Sequence, residues 1–295
     1  MRFADLSLAQ RLEAAEAQKY ADYTATRGRL RPAVGCVVEP NAGGFAVFAG
    51  HGNPYSRGIG MGLHSTVSAV ELDRFEAFYR EHGCTPALSL CPLANLSLIE
   101  LLNERRYRLE HFMQTWYRDL TADDRPASTP AIIVRPILPE EAELWVLTAN
   151  RGFAGDAADV PPDSIVAAYP HMQHATCWLA WLPGAPPHEP AGAGSLAIHT
   201  GVAELFGTSV RLSCRGRGVQ TALMQTRMAA ALAAGCDLIA VHTDPGNASQ
   251  RNVERAGFRL AYTKVTMRRD ATPGERWRDS LAALSGQADG RPAPG

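Results

Sequence analysis

The chain has 295 residues, of which 46% are hydrophobic, and a formal net charge of −1 at pH 7. That length and apolar content suffice for two domains of ordinary size. A near-zero net charge creates no long-range attraction to nucleic acid or an anionic membrane, and no segment approaches the roughly 18 apolar residues of a membrane span, so we expect neither partner.

The cysteine pattern favours a reducing compartment. The six cysteines form neither C-x-x-C pairs nor a regular spacing, which indicates free thiols and argues against a disulfide framework or a zinc site. Acidic residues at Asp5, Glu13 and Glu16 interrupt the N-terminal region, and no signal peptide is visible. The sequence therefore predicts a cytoplasmic protein without a bound metal.

The first 120 residues alternate between helical and extended patterns. Ser7–Ala25 has the spacing of an amphipathic helix, and Val70–His82 predicts a second helix that ends at Gly83. Apolar segments predict strands at 45–50, 87–91 and 107–116.

The middle of the chain divides it into two parts. Residues 121–130 are polar and contain two prolines, a composition typical of an interdomain linker. We therefore predict domains at 1–120 and 131–270, followed by a Gly/Pro-rich flexible tail over 271–295.

The second domain begins with a predicted strand, helix and three further strands. In chain order these segments are Ile132–Pro136, Pro139–Ala149, Thr176–Leu182, Gly194–Thr200 and Val202–Leu212.

A glycine-rich turn follows the last of these strands. Residues 215–220 read Arg-Gly-Arg-Gly-Val-Gln, and the alanine-rich segment Thr221–Ala234 predicts a helix that stops at Gly235. The first turn of a helix leaves backbone N–H groups unpaired, and glycine lets a phosphate approach them. With Arg215 and Arg217 adding positive charge, the segment predicts a pyrophosphate site.

Common phosphate motifs do not fit this turn. The chain lacks the Gly-x-x-x-x-Gly-Lys-Ser/Thr pattern, and Thr221 stands where a dinucleotide fingerprint requires its third glycine. Beyond the helix, Leu238–Thr243 predicts a strand, Asn247 the cap of a short helix ending at Gly257-Phe258, and Arg259–Met267 a last strand.

This order of motifs resembles the second half of a GNAT acetyltransferase domain. Its motif A, Gln/Arg-x-x-Gly-x-Gly/Ala, matches Arg215, Gly218 and Gln220, although a small residue is usual in place of Gln220. The resemblance implies an α/β (α+β) fold with a mixed, mostly antiparallel sheet flanked by helices. It also implies an acetyl-CoA-dependent N-acetyltransferase that acts on a small amine or a peptide amine.

The resemblance also assigns residues to acetyl-CoA. The turn and helix start would hold the pyrophosphate, main-chain groups of the preceding strand would pair with pantetheine, and a side chain of the short helix would bind the pantetheine arm. These residues are Arg215, Gly216, Arg217, Gly218, Val219, Gln220 and Thr221, then Thr208, Ser209 and Val210, and Asn252. Phe153, Tyr169 and His171 are candidates for the acceptor pocket.

Two residues are candidates for proton transfer. Glu204 is the only acid in its strand, and simple alternation places it on one face with Phe206, Thr208 and Val210. An apolar setting would raise its pKa toward that of a useful base. Val253 occupies the position where many family members have an acidic tyrosine, and Tyr262 is the candidate to replace it.

The first domain repeats the element order of the second. Setting Tyr107 against Phe258 gives an offset of 151 residues, so we predict a tandem pair of GNAT-like domains with a degenerate N-terminal copy. The run at 57–63, Arg-Gly-Ile-Gly-Met-Gly-Leu, stands where the copy's glycine loop is expected, but no helix follows directly, so we expect no coenzyme A there. The pair is compatible with a monomer or a homodimer.

Two other functions remain open. The missing tyrosine and the degenerate first half permit a non-catalytic acyl-CoA-binding or regulatory protein. Nucleic-acid binding through the Arg-Gly turn is disfavoured because the basic residues do not continue into a stripe.

Overall fold

The computed structural model describes residues 2–122 and 132–269. The first half contains α1 (Leu6–Leu30), β1 (Val37–Asn41), β2 (Gly44–Phe48), α2 (Ala69–Glu81), β3 (Ala87–Leu90), α3 (Leu96–Glu104) and β4 (Tyr107–Asp119). The second half contains β5 (Ile133–Pro136), α4 (Ala142–Ala154), β6 (Ala175–Trp181), β7 (Gly192–His199), β8 (Val202–Val210), α5 (Val219–Ala233), β9 (Leu238–Thr243), α6 (Ala248–Arg255) and β10 (Arg259–Arg269). The predicted tail and most of the predicted linker lie outside the described residues.

Eight of the strands form one sheet, in the order β3-β10-β4-β9-β8-β7-β6-β5. Every neighbouring pair is antiparallel except β8 and β9, which are parallel. Helices pack on both faces of this sheet. These features confirm the predicted mixed, mostly antiparallel sheet flanked by helices.

The two halves exchange their last strands. Strand β10 of the second half lies between β3 and β4, and β4 of the first half lies between β10 and β9. If β3 corresponds to β9 and β4 to β10, the order β3-β10-β4-β9 is symmetric about its centre, as expected for two copies of one unit. The helices α2 and α5 and the strands β3 and β9 also recur at an offset near 151 residues. The division at residues 121–130 remains a proposal, and both halves share this sheet.

Helix α1 binds the halves together. It is longer than the predicted Ser7–Ala25 segment and ends at Leu30, just before Pro32, which cannot continue a helix. Its buried residues include apolar side chains such as Leu12 but also Glu13, Glu16 and Lys19. The same helix contacts β2 of the first half and β7 and β8 of the second.

The sequence predicts only one strand of the β1–β2 hairpin. Pro40 and Glu39 lie inside β1, and both residue types are uncommon in strands, so only the β2 region was predicted. The turn between the strands has positive φ at Ala42 and Gly43. Among the described residues, no helix is both long and apolar enough to cross a bilayer.

Candidate functional site

The glycine-rich turn connects β8 to α5. Gly216 and Gly218 adopt φ values of +73° and +84°, a region that residues with a Cβ rarely enter. Gly218 is the residue that precedes the helix, and no side chain caps the helix start. The local sequence thus creates an open helix N-terminus.

The amide groups of this turn fall into two sets. Asp156 accepts hydrogen bonds from the amides of Leu212 (2.7 Å) and Ser213 (3.0 Å), which fixes the first part of the loop. Among the described residues, none accepts a hydrogen bond from the amides of 216–221. Six backbone donors at the positive end of a helix are therefore without a described acceptor, which is the arrangement that binds anions.

The two predicted arginines have different positions. The Arg215 guanidinium donates to the carbonyl oxygens of Gly152 (3.0 Å) and Val210 (3.3 Å), so it braces the loop against α4 and β8. Arg217 is exposed and lines an open hollow of about 470 Å³ together with Gly218 and Thr221. Arg215 is exposed as well, but only the Arg217 guanidinium bonds no described residue and is therefore free to meet a ligand.

The remaining predicted residues of this helix start are less exposed. Val219 is buried in the core beneath α5, and Gln220 is half-buried. The amides of both residues belong to the open set. Because the donors are main-chain groups, the unusual Gln220 side chain does not close the site.

A slot opens beside the turn, where β8 and β9 separate. The parallel ladder joins Val202–Leu205 to residues 238–241 and then stops, although β8 continues to Val210 and β9 to Thr243. The edge of β8 that faces β9 is consequently unpaired from Phe206 onward. The predicted pantetheine-binding residues Thr208, Ser209 and Val210 lie on this edge.

A bulge in β8 changes which side chains share a face. The register with β7 shifts between Ala193 and Ser195, and Gly207 has a φ of +57°. Phe206 lies on the same face of the sheet as Glu204. Ser209 is also on that face, where its hydroxyl donates to the Ala149 carbonyl of α4, whereas Val210 packs on the opposite face against α5. The prediction that Glu204 shares its face with residues 208 and 210 is therefore wrong.

A buried arginine that the sequence analysis missed supports the bulge. Arg227 of α5 is fully buried and donates to the Ser195 carbonyl and the Thr208 hydroxyl, both at 2.8 Å. Gly194 makes room for it, since a Cβ there would lie 2.8 Å from the guanidinium carbon. Burial lowers the pKa of Arg227 to about 9. A lone arginine in an alanine-rich helix was the available signal.

Glu204 lies at the inner end of the slot, in a charged group beneath α1. Its side chain is 2% exposed, and one carboxylate oxygen pairs with the Lys19 ammonium, which is 6% exposed. The same oxygen lies 3.1 Å from Nε2 of His242 on β9. Its second oxygen has no hydrogen-bond partner among the described residues.

The pKa of Glu204 is lowered, not raised as the sequence suggested. Burial alone would raise this pKa, but the Lys19 charge and the His242 side chain outweigh it. Burial would likewise lower the pKa of Lys19, but the charges of Glu204 and Glu16 raise it. The environment of Glu204 is ionic and not apolar, because the Lys19 ammonium is supplied by α1, 185 residues away in sequence.

The charged group continues along α1 toward β10. Glu16 lies 3.6 Å from His242 Nε2 and also pairs with the Lys264 ammonium. Lys264 pairs in turn with Glu13 at 2.9 Å, and Glu13 accepts a 2.8 Å hydrogen bond from the Tyr262 hydroxyl. The structure therefore places Tyr262 at the far end of this group and does not bring it to Glu204.

The exchanged strand β4 supports His242 from the edge of β9 that faces away from the slot. Thr115 lies opposite His242 in the ladder, with its hydroxyl 3.3 Å from Nδ1 of that histidine. Near the end of β9, His111 pairs with Asp244 at 2.9 Å. The site of the second half is thus completed by α1 and β4 of the first half.

Glu16, Glu204 and His242 each offer an atom within 4.8 Å of the others, a spacing that a metal ion could use. Lys19 and Lys264 already pair with both carboxylates, however, so a cation would have to compete with two ammonium groups.

Aromatic side chains form the wall beside Glu204. The Tyr169 ring packs against Phe206 at 4.8 Å, and its hydroxyl lies 3.0 Å from that of Tyr55 in the first half. Of the other candidates for the acceptor pocket, Phe153 packs partly buried in the same core, and His171 is exposed. Asn252 is half-buried on α6, and its side chain bonds no described residue.

The corresponding region of the first half is closed. Ser68 caps α2 by accepting from the Glu71 amide (3.3 Å), and the Glu71 carboxylate accepts from the Ser68 amide (2.8 Å). The glycine run does not form a loop before this helix, because Ile59 pairs with Phe45 and Gly58 with Leu88. A carboxylate at the helix start opposes a second anion there.

Comparison with known proteins agrees with the resemblance found in the sequence. Residues 145–258 match the model of the acetyltransferase (GNAT) family. A GCN5-related N-acetyltransferase from Kribbella flavida aligns with 85% of this chain and 96% of its own, at 17% identity and a TM-score of 0.57. A tandem GNAT protein from the clavulanic acid biosynthesis pathway aligns over 69% of this chain and 70% of its own, at 16% identity and a TM-score of 0.51. No curated protein sequence was found to match.

Proposed function

We propose that the protein is an acetyl-CoA-dependent N-acetyltransferase, because residues 145–258 match the GNAT acetyltransferase family model and the fold is similar to that of a tandem GNAT protein. The acceptor would be the amine of a small molecule or a peptide. The observation that carries this proposal is the open helix start at 216–221, with six free amides next to an unpaired strand edge.

The turn would hold the diphosphate of coenzyme A. The free amides and the positive end of α5 supply donors, and the exposed Arg217 supplies charge. The pantetheine arm would then continue along the unpaired edge at 208–210, where its amides can replace the missing partner strand. This path leads the thioester toward the end of the β8–β9 ladder, where Glu204 and His242 meet.

The residues at the end of the slot would manage protons. An alkylamine with a pKa near 10.4 is neutral in only about one molecule in 10³ at pH 7, so an acceptor needs a base. The lowered pKa of Glu204 keeps its carboxylate ionised at neutral pH but makes it a weaker base than an ordinary glutamate. It would therefore hold the amine in place and take its proton, directly or through His242, only as the C–N bond forms. We do not retain Tyr262 as the acid, because its hydroxyl is committed to Glu13.

The first half would serve as structure and as one wall of the site. Its capped helix start at Ser68 leaves no place for a second diphosphate. Its strand β4 and helix α1 instead supply Thr115, which contacts His242, and Lys19, which pairs with Glu204.

One observation favours a second candidate, a non-catalytic acyl-CoA-binding protein. The Lys19 ammonium already occupies the carboxylate that an acceptor amine would use. A protein that binds acyl-CoA without turning it over would show this arrangement.

Release of free coenzyme A thiol with a panel of amines distinguishes the two. We expect amine-dependent thiol release that Glu204→Gln lowers by about 10²–10⁴-fold while coenzyme A still binds. Glu143→Gln, which changes an exposed glutamate on α4, is the control and should retain full activity. Binding without thiol release for any amine would favour the binding protein, and no binding at all would refute both.

A further inference from the structure

The chain uses lysine at two positions only, Lys19 and Lys264, although lysine and arginine together number 29. Both lysines are buried in the charged group beneath α1, with side chains 6% and 1% exposed. Arginine serves everywhere else as the cation. The two side chains differ chemically, since an amine can lose its proton and act as a nucleophile, whereas a guanidinium stays charged.

The surroundings of Lys19 are those of an ammonium-binding site. The Nζ atom pairs with the Glu204 carboxylate and lies 5.5 Å from the centre of the Phe206 ring and 5.8 Å from that of Tyr20. A carboxylate combined with aromatic faces is a common way to bind a cationic amine in a desolvated place. Lys19 therefore fills the position in which an acceptor amine would be held.

The position of this amine relative to the slot is equally specific. Glu204 precedes by one residue the last paired residue of β8, Leu205, after which the slot opens. On the proposed function, an acetyl thioester that follows the slot arrives at this point. Helix α1 contacts β8, and its Lys19 amine pairs with Glu204 next to the end of this ladder.

We propose that Lys19 is a self-acetylation site, at which the protein transfers the acetyl group of its own bound acetyl-CoA to Nζ. This inference rests on the proposed function. It adds a modification site and an internal acceptor to it.

The reaction balances with groups that are present. The Lys19 ammonium gives one proton to the Glu204 carboxylate, a transfer that the raised pKa of Lys19 and the lowered pKa of Glu204 make unfavourable by itself. The freed electron pair then forms a C–N bond with the thioester carbonyl carbon, and this bond formation draws the transfer forward. The C–S bond breaks, and coenzyme A leaves as a thiolate that takes the second proton lost by the nitrogen. The products are a neutral amide at Lys19, free coenzyme A and a protonated Glu204 that can release its proton to water.

Lys264 provides an internal comparison. Its ammonium pairs with Glu13 and Glu16, and it belongs to β10, which β4 separates from β9 and the slot. An acetyl group delivered through the slot should therefore reach Lys19 and not Lys264. Indiscriminate chemical acetylation has no reason to prefer a buried amine such as Lys19.

The test is mass spectrometry of the full-length protein after incubation with acetyl-CoA. Coenzyme A binding is measured first by calorimetry, so that failure of the proposed function is recognised separately. Intact mass then shows whether one acetyl group is added, and peptide mapping of the wild-type protein assigns it to Lys19, Lys264 or the N-terminus. Lys19→Arg, Lys264→Arg and the turn variant Gly218→Ala are treated in parallel.

We expect one acetyl group on Lys19 in the wild type and in Lys264→Arg, and none at position 19 in Lys19→Arg. In Gly218→Ala, acetylation of Lys19 should be at least tenfold slower. If coenzyme A binds but Lys19 stays unmodified, the self-acetylation proposal is overturned while the proposed function stands. Labelling of Lys19 that does not depend on Gly218 would also overturn it, because the acetyl group would then come from solution. Mapping of the wild type decides the question even if the variants fold poorly.

Discussion

Removal of the Lys19 ammonium should destabilise the protein strongly at neutral pH. In Lys19→Met the side chain keeps much of its length, so the main change is that Glu204 loses its cation. Glu204 is 2% exposed, its second oxygen already lacks a described partner, and only His242 would remain near the first. Breaking a buried pair from one side typically costs about 3–5 kcal/mol, and we expect a loss in that range.

The effect should depend on pH with a definite sign. In the wild type the pKa of Glu204 is lowered, so the pair stabilises the fold above the unfolded value near 4.3 and loses this contribution as pH falls. In Lys19→Met, burial is less opposed and raises that pKa, so the folded state is penalised increasingly as pH rises. The stability difference between the two proteins should therefore be larger at pH 7 than at pH 5.

Urea unfolding followed by tryptophan fluorescence measures this difference at both pH values. The double variant Lys19→Met/Glu204→Gln removes the orphaned charge and should recover a large part of the loss, which a double-mutant cycle quantifies. The control is Arg31→Met, whose ion pair with Asp163 is exposed and should contribute no more than about 1 kcal/mol. A loss below about 1 kcal/mol for Lys19→Met, or the same loss at both pH values, would refute the buried-pair interpretation.

Three further predictions address the turn, the bulge and the exchanged strands. Arg217→Gln should weaken coenzyme A binding by about three- to tenfold in low salt. The effect should be smaller in high salt, because salt screens exposed charges. In the same titration, the control Arg74→Gln, an exposed residue of α2, should bind coenzyme A like the wild type. Arg227→Leu leaves the Ser195 carbonyl and the Thr208 hydroxyl without their donor, so thermal unfolding should show a stability loss of about 1–3 kcal/mol. Gly194→Ala clashes with the same guanidinium and should cost a similar amount of stability. An unchanged melting temperature in both variants would contradict the role assigned to Arg227. Fragments 1–120 and 131–295 should each aggregate or self-associate when expressed alone and form a one-to-one complex when coexpressed, because β4 and β10 pair with strands of the other half. Size-exclusion chromatography measures this. A monomeric 131–295 fragment that binds coenzyme A would contradict the prediction.

Local features of the fold could be predicted from the sequence because their signals are local. Strand β9 has the predicted bounds of Leu238–Thr243, and Asn247 is the predicted cap of α6, accepting a hydrogen bond from the Gln250 amide at 2.8 Å. The open start of α5 follows from two glycines before an alanine-rich segment. Such patterns depend on residues a few positions apart.

The strand exchange could not be predicted in the same way. Strands β4 and β10 are both long, and the sequence of either segment alone does not specify which neighbouring strand it pairs with. The partner is decided by contacts between residues far apart in sequence, such as Gln114 with Thr243.

The candidate site was predicted at the turn and incompletely at the slot. Glu204 was identified as the only acid of its strand, but its partner Lys19 lies on a helix whose charges an amphipathic pattern would place in solvent. The sequence predicts His242 only as part of a strand, although the fold brings it to 3.1 Å from Glu204. The bulge at Gly207 then reversed the alternation on which the predicted face depended.

Calorimetric titration of coenzyme A into variants at the two ends of α5 tests the central claim most directly. Gly218 and Gly235 have nearly equal φ values of +84° and +82°, so an alanine strains the backbone similarly at either position, by about 1–2 kcal/mol. Only Gly218 borders the open amides. The account predicts that the wild type and Gly235→Ala bind coenzyme A alike and that Gly218→Ala binds at least tenfold more weakly. Equal affinity of the two variants, or no heat of binding with the wild type, would contradict it.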